Sequence, residues 1–188
     1  MSTKSELRKN IIKLRNAMTA EEVQYKSKKI MEKLKSLESY KNSKLIFVFM
    51  SFGSEVVTVD LIKSMLAEGK RVVIPYTDTV NTVLIPSEIK SMDDLVLNPF
   101  GYYEPSYEKI QEVQPEEFDL IINPGVVFDR KLNRVGYGKG YYDRILVRKR
   151  KDAKAVAVAF ELQVVDEVPT EAHDIKMDMI VTEENIYE

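Results

Sequence analysis

The first 37 residues alternate apolar and polar positions with the period of a helix. A Thr-x-x-Glu capping box begins at Thr3 and a second one begins at Thr19. In such a box the threonine and the glutamate three residues later satisfy backbone N–H groups at the start of a helix. The apolar stripes that follow are Leu7, Ile11, Leu14 and Met18, and then Val23, Ile30, Leu34 and Leu37. We therefore predict two amphipathic helices, each with its stripe on one face.

From residue 44 the pattern changes to short apolar runs, which are typical of strands covered on both faces of a parallel sheet. The predicted strands are 44–50, 71–75, 82–86, 119–122, 155–159 and 177–181. Helices are predicted over 59–68, ending at Gly69, and over about 141–150. This alternation predicts a largely parallel sheet between two layers of helices, and the length predicts a single domain over 1–188.

The predicted topology also indicates where a ligand binds. In open sheets of this kind, ligands bind beyond the carboxyl ends of the strands. Three segments follow predicted strands there: Met50–Glu55, Asn123–Asp129 and the loop after Val158. Residues 87–118 are acidic and contain three prolines, so we expect no long helix in them.

The composition removes several classes of chemistry. The chain has no cysteine and one histidine, His173, which excludes disulfides, a thiolate nucleophile and zinc sites built from Cys or HExxH. A Ser-His-Asp triad would have to use His173. We expect any bound metal to be a hard cation with oxygen ligands. No apolar run approaches 18 residues, so we expect no membrane partner and a cytoplasmic protein.

The formal net charge of −2 conceals four charged blocks. Residues 1–44 hold 12 Lys or Arg against 5 Asp or Glu, and residues 130–154 hold 10 against 2. Residues 87–119 and 155–188 are strongly acidic. Solvated helix faces explain most runs of this kind. The alternative is that the two basic blocks converge on a polyanion.

The densest candidate chemistry lies in residues 123–144, which read NPGVVFDRKLNRVGYGKGYYDR. Three glycines alternate with other residues just before a predicted helix, and Arg134 and Lys139 add positive charge at the same place. Glycines let the backbone approach a ligand closely, and free N–H groups at a helix start favour anions. The spacing fits neither a Walker A loop nor a dinucleotide fingerprint. A simple strand-to-helix turn, with Tyr141 and Tyr142 in the core, is the alternative interpretation.

This stretch resembles the signature of the 5-formyltetrahydrofolate cyclo-ligase family, which has the general form PGxxFDxxGxRxGxGxGYYDR. Four more segments are similar to the family in chain order: KSELR at 4–8, FMSFGSEVVT at 49–58, GYYEP at 101–105 and HDIKMD at 173–178. One position departs from the pattern. Leu132 stands where the family usually has glycine, in the turn before Arg134.

The resemblance implies a three-layer α/β/α fold that is Rossmann-like (NagB/RpiA/CoA-transferase-like). It also implies an ATP-dependent ligase that converts 5-formyltetrahydrofolate to 5,10-methenyltetrahydrofolate and releases ADP and phosphate. In that reaction the formyl oxygen is phosphorylated and N10 closes the ring. The implied partners are therefore two small molecules, ATP and 5-formyltetrahydrofolate, with Mg²⁺ as cofactor. We expect no nucleic-acid partner and a monomer.

Residue roles follow from the same resemblance. The ATP-binding residues are Lys4, Arg8, Arg134, Gly136, Tyr137, Gly138, Lys139, Gly140, Tyr141 and Tyr142. Of these, Lys139, Arg134 and Tyr142 are the catalytic candidates. Met50 and Glu55 would contact the folate, and Asp143 and Asp174 would coordinate Mg²⁺. His173 is expected to be a structural neighbour of Asp174.

Sequence patterns alone leave a plainer interpretation open for several of these residues. Lys4 and Arg8 could belong to a solvated helix flank, Asp143 could be a charge at a helix start, and Glu55 could lie in a surface loop.

Two other functions remain as alternatives at this level. Tyr141 and Tyr142 beside basic residues could stack on RNA bases. A sequence pI of about 5.7 and two acidic blocks argue against a continuous basic footprint. The second alternative is a catalytically inactive relative that acts as a regulatory or nucleotide-binding scaffold. The presence of Lys139, Asp143 and Glu55 argues against it.

Overall fold

The computed structural model describes residues 3–188. Its helices are α1 (Lys4–Asn16), α2 (Ala20–Ser36), α3 (Glu38–Lys41), α4 (Val59–Ala67) and α5 (Tyr141–Leu146). Its strands are β1 (Leu45–Val48), β2 (Arg71–Asp78), β3 (Val83–Ile89), β4 (Leu95–Leu97), β5 (Tyr103–Pro105), β6 (Leu120–Asn123), β7 (Val127–Asp129), β8 (Arg134–Val135), β9 (Lys154–Val158), β10 (Val164–Val165), β11 (Met179–Val181) and β12 (Ile186–Tyr187). Among these residues, no helix combines the length and apolar character that a membrane span requires.

Seven strands form the main sheet in the order β12-β11-β9-β6-β1-β2-β3. The pairs from β11 to β2 are all parallel, and only the edge strands β12 and β3 run antiparallel. The central strands β1 and β6 are buried along their whole length, with Phe47 opposite Ile121. Apolar runs without alternation fit strands covered on both faces. The predicted largely parallel sheet is confirmed.

The two faces of the sheet are covered differently. On one face, Ile30 and Leu34 of α2 and Ile62 and Met65 of α4 are fully buried against the sheet. The other face is covered by α5, by Phe118 in the segment before β6 and by Phe128 of β7. This is the predicted three-layer α/β/α arrangement. However, α5 has six residues, so the predicted helix over about 141–150 was too long.

Both predicted capping boxes are present, and each starts its helix one residue after the threonine. The predicted apolar stripe of α1 was wrong at one position. Leu14 is 54% exposed, whereas its neighbour Arg15 is 4% exposed. Helix α1 lies against the edge of the site and not over the main sheet, and it buries Ile11 in a small cluster with Val126, Val127, Val135 and Val168. Its inward face therefore carries Arg15, at four residues from Ile11.

Two small sheets were not predicted. Strands β4 and β5 form a hairpin inside the acidic segment, which has no long helix, as predicted. Strands β10, β7 and β8 form a second small sheet, in which β7 and β8 come directly after β6 in the chain. Strands of two or three residues leave too short an apolar pattern to be distinguished from a loop.

The turn between β7 and β8 is organised by a buried carboxylate, Asp129. Its Oδ1 accepts the backbone N–H groups of Lys131 (2.9 Å) and Asn133 (3.1 Å). Its Oδ2 accepts the Asn133 side chain (2.9 Å) and the Val168 N–H (3.1 Å). Inside this turn Leu132 has φ = 68°, the left-handed conformation that glycine adopts most easily. The turn thus keeps a glycine-like shape despite Leu132.

We predict that Asp129→Asn lowers the free energy of unfolding by about 1–3 kcal/mol. The asparagine side chain has an NH₂ group in place of one carboxylate oxygen, so the buried N–H donors on that side lose their acceptor. Urea denaturation measures the change, with Glu108→Gln at an exposed position as the matched control. Equal unfolding free energies for Asp129→Asn and wild type would contradict the assigned role of this carboxylate.

Candidate active site

A polar cleft of about 400 Å³ opens beyond the carboxyl ends of the central strands. The start of α1, the glycine-rich segment before α5 and residues 171–174 form its walls. It is lined by all ten residues predicted to bind ATP, by Asp143 and Asp174, and by Pro124, Val135, Arg144, Glu171 and His173. Residues more than 100 positions apart in sequence therefore share one cleft. Their individual roles stay predictions.

The glycine-rich segment has backbone conformations that need glycine. Gly138 and Gly140 have φ values of 99° and 66°, where an L side chain is strained. A Cβ on Gly136 would lie 3.0 Å from the Arg134 guanidinium. The three glycines thus let the chain turn sharply between β8 and α5 while Arg134 packs beneath it. Because α5 is short, its dipole contributes less to anion binding than the sequence pattern suggested.

Arg134 is buried beneath this segment and supports it through hydrogen bonds. Its guanidinium donates to the Pro124 carbonyl (3.1 Å) and to the Asp143 carboxylate (2.7 Å), and the side chain is 3% exposed. The end of β6, the glycine-rich segment and the first turn of α5 are joined by these contacts. Among residues 3–188, the buried Arg134 Nε has no hydrogen-bond partner.

A second ion pair links the start of α1 to the C-terminal loop. The Lys4 ammonium lies 2.7 Å from Asp174 and 3.1 Å from Glu171. Burial by itself would lower the pKa of Lys4, but its bonds to the two carboxylates raise that pKa above its usual value. Burial would also raise the pKa of Asp174, yet the Lys4 contact and the Glu171 N–H lower it. Each partner therefore holds the other in its charged form.

Other cations of the cleft, among them Arg8 and Lys139, are not compensated in this way. Arg8 donates from Nε to the Gly136 carbonyl (2.6 Å), and Lys139 is exposed at the rim. Neither Arg8 nor Lys139 forms an ion pair with a carboxylate within residues 3–188. A concave site with unpaired cations attracts an anion.

A smaller cavity of about 180 Å³ adjoins the cleft and is lined mainly by apolar and aromatic side chains. Met50 and Glu55, the residues predicted to contact folate, lie in its wall. The remaining residues of that wall are Phe49, Phe52, Pro75, Thr77, Leu84, Tyr102, Pro124, Tyr137, Lys139, Tyr141 and Tyr142. Five of them, Pro124, Tyr137, Lys139, Tyr141 and Tyr142, also line the polar cleft. The two compartments therefore meet at the glycine-rich segment.

Glu55 is the acidic group of the aromatic cavity and is only 4% exposed. The Tyr137 hydroxyl donates to Oε1 (2.7 Å) and the Phe52 N–H donates to Oε2 (3.0 Å). Burial raises the pKa of Glu55, and these two hydrogen bonds and the Arg15 charge offset only part of that effect. The plain interpretation of Glu55 as a surface-loop residue is therefore wrong.

Tyr142 occupies the boundary between the two compartments. It packs against Phe47 of β1, and burial raises the pKa of its hydroxyl well above the ordinary value. Within the described part of the chain, the Tyr142 hydroxyl makes no hydrogen bond to a protein group. At neutral pH it is a protonated phenol with a free donor at the junction of cleft and cavity.

Sequence reasoning missed three residues of the site. Arg15 continues the inward face of α1 beyond Lys4 and Arg8 at helical spacing, a signal that was present but unused. Tyr102 enters the cavity from the β4–β5 connection, and its hydroxyl donates to Thr77 (2.9 Å). Glu171 joins the ion pair of Lys4, and no pattern in the sequence marks it.

One predicted ligand-binding segment lies elsewhere. The loop after Val158 lines neither compartment. Instead, Gln163 in this loop donates to the carbonyls of Gly125 (2.9 Å) and Val126 (3.0 Å), so the loop holds the segment that leads into β7. Residues 171–174 take the position at the cleft. His173 is exposed beside Glu171 and Asp174, as expected for a neighbour of Asp174.

The fold and the two joined compartments define a class of protein: an α/β protein with a cleft rich in cations beside an aromatic cavity. The chain belongs to the 5-formyltetrahydrofolate cyclo-ligase family, whose model matches residues 1–183.

Individual relatives support this membership over nearly full length. The mouse 5-formyltetrahydrofolate cyclo-ligase is 31% identical, over 98% of this chain and 95% of the relative. The Haemophilus influenzae protein of the same name is 31% identical, over 95% of this chain and 97% of the relative. The solution structure of Aquifex aeolicus 5,10-methenyltetrahydrofolate synthetase has a TM-score of 0.86 and 35% identity, over 98% of this chain and 92% of that one. A synthetase structure from Mycoplasma pneumoniae, at 24% identity and TM-score 0.79, shares the fold.

Proposed function

We propose that this protein catalyses the ATP-dependent conversion of 5-formyltetrahydrofolate to 5,10-methenyltetrahydrofolate, with release of ADP and phosphate. Membership of the cyclo-ligase family supports this activity. The observation that carries the proposal is the junction of the two compartments, where Lys139, Tyr141 and Tyr142 line both the cationic cleft and the aromatic cavity. Phosphoryl donor and acceptor must meet at such a junction.

The reaction needs no nucleophile from the protein. The formyl oxygen attacks the γ-phosphorus of ATP, an O–P bond forms, and the bond to the β,γ-bridging oxygen breaks to release ADP. Folate N10 then attacks the formyl carbon, a C–N bond forms, and the C–O bond to phosphate breaks while N10 loses its proton. The protein contributes alignment and positive charge, which fits a chain without cysteine and with one exposed histidine.

ATP is assigned to the polar cleft. Arg8 and Lys139 line the cleft and have no carboxylate partner among the described residues, so their charge is available to the phosphates. Backbone N–H groups of 136–142 would approach the same phosphates through the positive-φ turns of Gly138 and Gly140. We assign Lys139 to the transferred phosphoryl group and Tyr142, with its free hydroxyl, to the junction.

The oxygen donors in the cleft fit Mg²⁺. Asp143, Asp174 and the adjacent Glu171 are carboxylates, the hard ligands that Mg²⁺ prefers. We assign Asp143 and Asp174 as its ligands, and when bound it would offset negative charge on the ATP phosphates. Each of these two carboxylates now lies 2.7 Å from a cation, Arg134 or Lys4. Phosphate oxygens would compete for those cations and so make the carboxylates available.

The folate ring is assigned to the aromatic cavity. Its wall has the flat aromatic faces that a ring system stacks on, and Met50 provides an adaptable apolar contact. Glu55 is the acidic acceptor there, and it suits the N–H donors of a pterin. We also propose that the protein is a cytoplasmic monomer whose ligands are small molecules and not nucleic acid. A concave cleft and the sequence pI of about 5.7 support small-molecule ligands over nucleic acid.

The inactive-relative alternative is not favoured. The chain keeps Lys139, Glu55 and both assigned metal ligands, and the fold brings them to adjoining compartments. The decisive assay follows the near-UV absorbance of the methenyl product. Product formation that requires both ATP and 5-formyltetrahydrofolate supports the proposed function, and its absence contradicts it.

We predict that Lys139→Ala lowers kcat by about 10²–10³, since it removes a cation from the transferring phosphoryl group. Thermal unfolding should be unchanged, because Lys139 is exposed and forms no ion pair with the described residues. Lys151→Ala, at another exposed lysine, is the matched control. Wild-type turnover in Lys139→Ala would remove the proposed role. Arg134→Ala should lose comparable activity and also stability, because Arg134 is buried.

We predict that Asp143→Asn raises the Mg²⁺ concentration needed for half-maximal rate by about tenfold or more. The Mg²⁺ titration distinguishes two roles of Asp143. If Asp143 binds the metal, more Mg²⁺ restores the rate; if it only pairs with Arg134, kcat stays low even at saturating Mg²⁺. Asp166→Asn, at an exposed position, is the control. An unchanged Mg²⁺ titration would count against Asp143 as a ligand.

We predict an acidic limb in the KM for 5-formyltetrahydrofolate. Because burial raises the pKa of Glu55 above that of an ordinary glutamate, protonation begins at a higher pH and removes the anionic acceptor as the pH falls. The KM should therefore rise as the pH falls, beginning at a higher pH than an ordinary glutamate would produce, and in Glu55→Gln it should be high and independent of pH. Steady-state kinetics at each pH measure it. The same pH dependence of the KM in Glu55→Gln would show that another group causes it.

A further inference from the structure

Arg15 is a buried cation that none of the assigned roles uses. It lies in the last turn of α1 and is 4% exposed. Its guanidinium donates to the Tyr137 hydroxyl (2.8 Å) and to the Ser54 hydroxyl (3.1 Å). Within residues 3–188 it makes no direct ion pair with a carboxylate, which is unusual for a buried arginine.

The Tyr137 hydroxyl joins Arg15 to Glu55. A guanidinium has only donors, so the tyrosine oxygen must accept from Arg15 and its single proton must point elsewhere. Glu55 Oε1 lies 2.7 Å away and accepts the hydrogen bond that the Tyr137 hydroxyl donates. Arg15 therefore fixes the direction of the Tyr137 O–H bond, although it does not touch Glu55.

This arrangement leaves part of Glu55 free to bind a ligand. Each carboxylate oxygen has two acceptor positions. Tyr137 occupies one on Oε1 and the Phe52 N–H occupies one on Oε2, while Glu55 lines the aromatic cavity. The positions that remain are those available to N–H donors of a ring in the cavity.

We infer that Arg15 is a positioning residue of the aromatic cavity: it orients the Tyr137 hydroxyl, which holds Glu55 as the acceptor for the donor edge of the folate ring. The inference rests on the proposed function, and it adds the residue on α1 that sets the state of Glu55. Helix α1 then serves both compartments, with Lys4 and Arg8 at one end and Arg15 at the other. Eleven residues of helix span about 16 Å between them.

The charged and titratable groups around Glu55 come from several elements. Arg15 faces it from α1 and Tyr137 from the glycine-rich segment. Tyr142 of α5, Tyr102 of the β4–β5 connection and Lys139 line the same cavity. Arg15 and Lys139 are the cations of this set. Removal of Arg15 therefore takes away positive charge that favours the ionised form of Glu55.

The test compares binding of 5-formyltetrahydrofolate, measured by calorimetry without ATP, in wild type and variants. We expect Arg15→Met and Tyr137→Phe each to raise its Kd about tenfold, and the double variant to add little to either. Arg15→Lys should recover part of the affinity. Lys13→Met, an exposed position on the same helix, is the matched control and should bind as wild type does.

Two further readouts separate positioning from a merely structural role. In turnover assays the KM for 5-formyltetrahydrofolate should rise in Arg15→Met while the KM for ATP stays near wild type. The acidic limb of folate binding should also move to higher pH in Arg15→Met, since loss of the cation raises the pKa of Glu55. A structural defect would weaken both substrates together and leave the limb in place.

The outcomes distinguish this inference from the proposed function. Wild-type folate affinity in Tyr137→Phe, or additive losses in the double variant, would overturn the role of Arg15 and leave the proposed function intact. Binding of 5-formyltetrahydrofolate that depends on Arg15, in a protein that forms no methenyl product, would support the inference and contradict the proposed function. A wild-type protein that does not bind 5-formyltetrahydrofolate would overturn both.

Discussion

Parallel pairing of the central strands is the constraint on which the rest of this structure depends. Because β6, β1 and β2 run in one direction and are buried on both faces, their carboxyl ends open at one edge of the sheet. Polar side chains buried within the sheet would lose their hydrogen bonds to water, so the polar and charged groups of the site lie at that edge. Pro124 after β6 and Phe49 and Met50 after β1 consequently line the site. Helix α1 closes the same edge from outside through the Ile11 cluster.

Some charged side chains of the site form ion pairs that link structural elements, and others have no partner of opposite charge among the described residues. Arg134 joins β6 to α5 through Asp143, and Lys4 joins α1 to the C-terminal loop through Asp174. These pairs hold the cations that we propose bind phosphate close to the carboxylates that we propose bind the metal. Arg8 and Lys139 carry charge that no described carboxylate offsets. A polyanion with its metal satisfies both sets at once, which is the physical basis for assigning ATP and Mg²⁺ together.

Several elements were predictable because their signals are local. The capping boxes at Thr3 and Thr19 fixed the starts of α1 and α2, and continuous apolar runs located the central strands. Other features were not. The helix α5 ends after Leu146, and the β4–β5 hairpin forms within an acidic segment. Both depend on tertiary contacts: α5 packs Ile145 and Leu146 into the core, and Glu104 of β5 accepts the Thr77 N–H of β2. At Leu132 the buried Asp129 imposes a left-handed backbone that the residue itself disfavours.

The sequence by itself determined the fold class, the exclusion of thiol chemistry and the glycine-rich segment with its cations, because composition, period and turn geometry are properties of neighbouring residues. It also carried the family resemblance, which is the basis for the ligands proposed for the cleft. Only the tertiary structure decided that Leu14 faces solvent while Arg15 is buried, and that Tyr137 stands between Arg15 and Glu55. The two contacts of Tyr137 join residues 122 and 82 positions apart, and their energies come from burial and charge that no local pattern records.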